Sequence, residues 1–417
     1  MRTDTGVGRQ MLTTSPLALP DKPSIAVLPF QNFSDDPQQE YFADGVVEEI
    51  ITALSRMRWL FVIARNSSFI YKGRAVDPKV AGRELGVRYI LEGSVRKAGN
   101  RLRLSGQLID AAVGTHLWAD RFEGELADIF DLQDHITASV VGAIGPKLEL
   151  AEIDRVRLKP TESLQAYDHY LRGLAGANRA TKDGTSEALE AFYRAIELDP
   201  NYASAHAMAA WCYAWRQANG WMLDHAKEVS EALRLARQAT ELGKNDAIAL
   251  ARGGIVLAYT GSELEDARGF IDRALELDPN LAAAWHFSGW VFVYLGEPER
   301  AIEHQSRALR LSPFDPLRGN MQAAAAYAHL FAGRYEEAVA CARSAIRDQP
   351  HFLAGFRAAA ASSALAGRLD DARAAMARLR AADPLHRISN LSDRIPLRRP
   401  EDRARLEDGL RLAGLPE

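Results

Sequence analysis

Cysteine is almost missing from this chain: its 417 residues hold two, Cys212 and Cys341. Both fall in apolar helical patterns, which excludes a disulfide framework and leaves small core thiols in a reducing cytoplasm as the expectation. Long apolar runs are missing too. The longest, Trp285 to Leu295, is broken by Ser288 and Gly289 and falls short of the ~18 residues a membrane span needs. Arg2 and Arg9 have no apolar segment behind them, so the N-terminus does not read as a secretory signal. Neither sign of charge dominates. Lys and Arg number 51 against 55 Asp and Glu, a net charge of −4, which leaves no global basic surface for nucleic acid.

The spacings that carry chemistry are also lacking. A phosphate loop needs Gly-x-x-x-x-Gly-Lys-Ser/Thr so that backbone N–H groups can wrap an anion. The chain has none, and Gly6-Val-Gly8 has neither a third glycine nor a preceding strand. Its ten histidines show no His-x-x-x-His spacing and its cysteines no Cys-x-x-Cys, so no metal site is expected. Ser67-Ser68 lacks the Gly-x-Ser-x-Gly elbow of a nucleophile and reads as a cap or turn after a strand. The acid pairs Asp35-Asp36 and Asp370-Asp371 precede helices, where they favour the helix dipole. No catalytic, cofactor-binding or metal-ligating residues are therefore expected.

What is present is a period. Leu-Asp-Pro-Asn at 198–201 returns at 277–280, and weaker versions follow as Leu-Ser-Pro at 311–313, Asp-Gln-Pro at 348–350 and Ala-Asp-Pro at 382–384. Prolines 279 and 313, 316 and 350, and 350 and 384 are each 34 apart. A fixed period of this length marks stacked supersecondary units that bury their apolar faces only against neighbours. Small residues recur where two helices must approach: Gly176, Ala188 and Ala195, then Gly254, Ala267 and Ala274, then Gly289, Ala301 and Ala308, then Ala326, Ala338 and Ala345, then Ala360 and Ala372. Eleven surplus residues near 217–226 should lengthen the helices or the turn of the second unit. Pro316 to Arg318 enlarge a later turn.

Ahead of the array, alternation and turn residues predict an α+β domain over 24–150 in the order βαβαβββα. Its mixed sheet should be covered by helices mainly on one face. The elements are strands at 24–30 and 60–64, helices over 38–57 and 78–86, a hairpin turning at Gly99-Asn100, a strand at 115–122 and a helix carried by Ile129 to Ile144. Arg96, Lys97, Arg101 and Arg103 make a basic hairpin tip, read as a solvated edge that discourages sheet pairing. The full division is a disordered tail or linker at 1–23, the α+β domain at 24–150, a helical linker at 151–168, six repeats at 169–386 and a C-terminal capping helix or tail at 387–417. With its own strands and helices, the 24–150 domain is expected to fold without the array.

The 34-residue units resemble tetratricopeptide repeats. The α+β region is similar to the TolB-amino-terminal-like domain. That likeness rests on Ser-Ile-Ala-Val-Leu-Pro-Phe (24–30), Glu-Tyr-Phe-Ala-Asp-Gly (40–45), Ala-Arg-Asn-Ser-Ser-Phe (64–69), Leu-Glu-Gly-Ser-Val-Arg (91–96), Leu-Ile-Asp-Ala (108–111), His116-Leu-Trp-Ala119 and Asp128-Ile-Phe-Asp-Leu-Gln133. The resemblance implies a bacterial regulator in which this pair follows an effector: a class III adenylate/guanylate cyclase domain, a winged-helix DNA-binding domain or a kinase. The lead-in Leu19-Pro-Asp-Lys-Pro23 looks like the linker after a cyclase domain, and the 23 residues ahead of the first strand are expected to be too few to hold that effector.

Two functions fit these observations. One is a non-catalytic scaffold that binds a protein or peptide partner in the concave groove of its repeats. The other is the detached regulatory half of a class III adenylate cyclase, or of a transcriptional regulator without its DNA-binding domain. Position within the repeat places Trp211, Trp215, Arg252, Tyr259, His286, Trp290, Tyr294, Asn320, Tyr327 and Arg357 on the groove-facing helices. Aromatics and arginine are the types that anchor partners, and the same aromatics could instead fill the core between helices. The expected setting is a cytoplasmic protein with no nucleic acid, membrane or cofactor, and the oligomeric state is left open.

Overall fold

The structure is a computed structural model that describes residues 17–20, 22–34, 40–57, 60–98, 101–125, 161 and 163–417. The expected helix at 129–144, the hairpin turn at Gly99-Asn100 and the acid pair Asp35-Asp36 lie outside these residues, as does most of the linker.

The N-terminal strands form one mixed sheet: β1 (Ser24–Val27), β2 (Gln31–Asn32), β3 (Phe61–Val62), β4 (Tyr89–Ala98), β5 (Arg101–Asp110) and β6 (Thr115–Glu125). The order is β3-β1-β4-β5-β6, with β2 also paired to β4. β1 runs parallel to β3 and β4, and β4, β5 and β6 are antiparallel. The expected 24–30 strand stops early because Pro29 has no N–H to give the ladder. Leu28 makes the last bond, its N–H donating to the Leu91 carbonyl at 2.8 Å. Helices α1 (Glu40–Ser55), α2 (Arg65–Ser68) and α3 (Pro78–Leu85) intervene. α3 starts where the Asp77 carboxylate accepts from the Lys79 N–H, and it ends on Gly86 at φ 62, a left-handed stop that suits glycine.

Alternation along each strand sorts side chains onto two faces. Ile25, Val27, Val62 and Leu91 pack on α1 through Val46, Val47, Ile50 and Leu54. Ala26, Phe61, Ile63 and Ile90 face the other way, onto Ala81 and Leu85 of α3. Helices thus flank both faces, where helices mainly on one face were expected. The basic hairpin tip also differs from expectation, since β5 lies between β4 and β6 and is not an edge. Arg103 is tied across the ladder to Glu123 at 2.7 Å.

Six helix pairs follow: α4 (Leu164–Ala177) with α5 (Lys182–Leu198), α6 (Ala203–Ala218) with α7 (His225–Leu242), α8 (Ala247–Gly261) with α9 (Leu264–Leu277), α10 (Ala282–Leu295) with α11 (Pro298–Leu311), α12 (Arg318–Phe331) with α13 (Tyr335–Asp348), and α14 (Leu353–Leu365) with α15 (Leu369–Ala382). The eleven surplus residues lengthen α6 and α7 to 16 and 18 residues and widen their turn. A Cβ on Gly254 would meet the Ala267 carbonyl at 3.0 Å, and one on Gly176 the Gly184 carbonyl at 2.9 Å. Those positions are small because the paired backbones nearly touch. Asp370 and Asp371 sit in the first turn of α15. Cys212 is buried, Cys341 is half-buried, and both are free.

The second sheet face is completed by the array. Ala282 of α10 and Leu311 of α11 belong to the same buried cluster as Ala26, Phe61 and Ile90, and Trp285 packs against it. The Asn280 side chain donates to the carbonyls of Ser55 and Leu60 at 2.8 and 3.0 Å, and Ser55 donates to Asp278 at 2.7 Å. The Ser67 hydroxyl accepts from the Phe314 N–H at 2.8 Å. Arg310 stacks over Phe61 at 4.6 Å and donates to the Gly86 carbonyl at 2.9 Å. The N-terminal domain therefore borrows part of its core from the fourth helix pair.

This seam gives an expected outcome. Asn280→Ala leaves two buried carbonyls without their donor and should cost about 1–3 kcal/mol. Thermal unfolding of the full chain should show the loss. A fragment spanning 20–160 should melt at a lower temperature than the full chain, because it exposes the face that Ala282 and Leu311 cover.

Candidate functional site

The concave side of the array is built by the first helix of each pair. Eight of the ten groove residues meet there around a cavity of about 60 Å³: Trp211, Trp215, Tyr259, Trp290, Tyr294, Asn320, Tyr327 and Arg357. Their rings fall in two groups. Trp211 lies 5.6 Å from Trp215, and Trp215 lies 5.2 Å from Phe352. Trp290 lies 5.5 Å from Tyr294 and 5.7 Å from Tyr327. The Trp290 indole N–H donates to Asn320 Oδ1 at 2.7 Å. The contact between Trp215 on the second pair and Phe352 before the sixth shows how tightly the array curls. It brings pairs four apart into touch.

The other two residues go elsewhere. His286 turns between helices, its Nδ1 2.9 Å from Gln305 Oε1, while Gln305 donates back to the His286 carbonyl. Burial pushes its ring down to about 4, so it is neutral at pH 7. Arg252 faces the seam with the N-terminal domain and lies over Trp211 at 5.0 Å.

Sequence reasoning missed what fills the groove. After α15 the chain re-enters the concave side as a strap, residues 386–399. A short 3₁₀ turn at Ile388–Asp393 carries Ile388 and Leu391 into the array's core, and Ile395 and Leu397 follow. Arg394 and Ile395 line the aromatic cavity directly. The Arg398 N–H donates to the Tyr294 carbonyl at 2.9 Å, and Arg399 donates to the Gly296 carbonyl at 3.0 Å. The helix expected at 401–413 is α16 (Pro400–Leu412). It lies against α14, where a Cβ on Gly409 would meet the Ala361 carbonyl at 2.8 Å, and Arg405 donates to the Phe331 carbonyl of α12. The C-terminal segment thus lies across the groove-facing helices of the last three pairs. Its only sequence signal was the spacing of Ile388, Leu391, Ile395 and Leu397 in a stretch otherwise rich in arginine.

Electrostatics at the strap are unusual. Arg357 is buried and, among the described residues, has no carboxylate within 4 Å. It donates to Tyr327 Oη at 3.5 Å and to His386 Nε2 at 3.3 Å. Burial, with Arg357, Arg394 and Arg387 adding repulsion, pulls His386 down to about 3. The ring accepts from Arg357 and so must be neutral. Among the described residues no group of three or more His, Cys, Asp or Glu side chains could hold a metal ion. No described helix is long and apolar enough to cross a membrane.

The array is built of tetratricopeptide-type repeats, with an α+β domain docked on it. Residues 21–139 match the family model for the HilA/YgeH-like transcriptional regulator, second domain, and 282–315 match that for the tetratricopeptide repeat. The likeness of the first region to the TolB-amino-terminal-like domain stays at the level of short motifs. The chain is 45% identical over 226 residues to putative adenylate cyclase 3 of Rhizobium meliloti (strain 1021), covering 54% of this chain and 38% of that protein. It is 25% identical over 160 residues to transcriptional regulator HilA of Salmonella typhimurium, covering 38% of this chain and 29% of that one. Each match thus spans well under half of the relative's length. Among solved structures, the tetratricopeptide-repeat protein YrrB, described as having an unusual peptide-binding site, aligns at 21% identity with a TM-score of 0.31, over 48% of this chain and 95% of that one.

Two outcomes are expected. Trp290→Ala removes a buried ring and the donor to Asn320, so it should lower stability by about 3–5 kcal/mol, read by denaturant unfolding. The second concerns His386. The folded state keeps this ring neutral, whereas the unfolded chain binds a proton below about pH 6.5. Its contribution is therefore complete above pH 6.5 and is lost as pH falls toward 3. Unfolding measured near pH 7 and near pH 4.5 should show a smaller acid-induced loss in His386→Gln than in the parent.

Proposed function

We propose that the chain is a non-catalytic regulatory scaffold of bacterial signalling that binds a protein partner through the concave face of its array. In this reading the strap is a resident ligand that the partner replaces. The observation that supports it is the strap itself. An extended segment sits among Trp290, Tyr294, Tyr259 and Arg357 with Ile395 as its apolar anchor, and it donates a backbone N–H to a groove helix. Such a surface takes an extended peptide with an apolar anchor. Arg357 lines the cavity and stays behind when the strap, with its own Arg394, leaves, so the fitting partner also carries an acidic group. Burying the four strap side chains contributes on the order of 6 kcal/mol or more. A partner must therefore present a segment of similar apolar content.

The test uses the full chain. Ile395→Asp with Leu397→Asp should loosen the strap. The doubly substituted chain should then bind a labelled synthetic peptide of residues 386–399 in trans, and Arg357→Ala should weaken that binding. A partner recovered by this chain from lysate should be displaced by the same peptide. No peptide binding, or recovery indifferent to the peptide, would sink the reading.

A second reading is favoured by the 45% identity to putative adenylate cyclase 3: the chain is the regulatory half of a class III cyclase. Neither reading gives this polypeptide chemistry of its own. Purified chain with ATP or GTP and Mg²⁺ or Mn²⁺ should form no cyclic nucleotide above a denatured control. Regulation of a cyclase domain added in trans would favour this reading over the alternative of a transcriptional regulator.

A further inference from the structure

The seam between the α+β domain and the array holds a half-open cavity whose lining shares no residue with the groove cavity or the strap. Its volume is about 120 Å³, and a wider cleft of about 440 Å³ adjoins it and shares Glu48 and Tyr170. A single water needs only about 10–15 Å³. Its wall includes Glu48 from α1, Arg65 from α2, Tyr170 from α4 and Arg252 from α8, together with Asp278 and Asp315, whose carboxylates accept from Ser55 and from Asn66 and Ser312.

Glu48, Arg65, Tyr170 and Arg252 are not satisfied by one another. The Tyr170 hydroxyl is buried and has no hydrogen-bond partner, although the residue is only 5% exposed. Arg252 Nη1 is also buried without a partner, while its guanidinium is held between Trp211 at 5.0 Å and Phe287 at 5.6 Å. Glu48 Oε2 and Arg65 Nε face each other at 3.4 Å, yet neither atom is hydrogen-bonded. Burial disfavours both charges, pushing the Glu48 carboxyl up and the Arg252 guanidinium down. Buried polar atoms left open in this way are costly, and each calls for a partner. Two donors, Arg252 Nη1 and the Tyr170 hydroxyl, and one acceptor, Glu48 Oε2, converge on one space.

We propose that this seam cavity is a binding site for a small carboxylate bearing a hydrogen-bond donor on the adjacent carbon, an α-amino or α-hydroxy acid. Its carboxylate takes the Arg252 and Tyr170 donors and its ammonium or hydroxyl donates to Glu48. The rigid aromatic clamp on Arg252 fixes the guanidinium without engaging all its N–H groups, which suits bidentate recognition of a carboxylate. Because Glu48 and Arg65 come from one domain and Tyr170 and Arg252 from the other, occupancy would tighten the seam. This site is independent of the groove reading.

The experiment is thermal unfolding and titration calorimetry of the full chain with each of the twenty amino acids, and with lactate and malate, as separate probes. At least one should raise the melting temperature and bind one to one. The amino- and hydroxy-acid sets tell the two sources apart. Tyr170→Phe removes a hydroxyl that bonds nothing in the free protein. It should leave the unliganded melting temperature in place and weaken binding about tenfold, the loss of one hydrogen bond to a charged group. Glu48→Gln should weaken the amino acids more than the hydroxy acids. The proposal is overturned if no probe shifts the melting temperature, if binding is unchanged in Tyr170→Phe, or if a crystal grown with the tightest probe shows only ordered water in the cavity.

Discussion

Close backbone approach at small residues is the constraint on which the rest of this molecule depends. Ala188, Ala195, Ala267, Ala274, Ala301, Ala308, Ala338 and Ala345 are all fully buried. Each stands where a larger side chain would push the two helices of a hairpin apart. With the hairpins held this close, each pair leans on the next, and the sum of small rotations curls the array until Trp215 meets Phe352. The concave aromatic cluster, the bed for the strap and the platform for the α+β domain all follow from that curl.

The α+β domain rests on the array at the turns that join successive helix pairs. Its second sheet face is apolar, and in the described residues α3 covers only part of it. The α10–α11 pair supplies the remainder through Ala282, Trp285 and Leu311. Hydrogen bonds from Asn280 and to Ser67 fix the register of this contact, and Arg310 caps the end of α3. A domain that shares a core with its neighbour cannot move against it as a free body.

Much of this was legible in the sequence. The 34-residue period, the Asp-Pro turns and the small positions identify six helical hairpins, and alternation over 89–98 and 101–110 identifies the central hairpin of the sheet. Both are local consequences of side-chain spacing. Position within the repeat also singled out eight residues that the structure brings around one cavity. It could not say that His286 would turn to Gln305 or Arg252 to the seam, because a helix presents flanks as well as an inner face.

The sequence by itself determined the type of the main elements and the period of the array, since hydrophobic spacing and backbone-restricting residues act within a few positions of one another. Only the tertiary structure decided which contacts those elements make at long range. Leu-Asp-Pro-Asn occurs twice, yet Asn201 is exposed while Asn280 holds two carbonyls of the α+β domain. The four apolar residues of the strap read as a polar tail's scattered hydrophobes until the curl of the array gives them a floor. Identical local motifs acquire different roles because the free energy of a buried contact depends on what lies across from it, and that is set by the whole stack of helices.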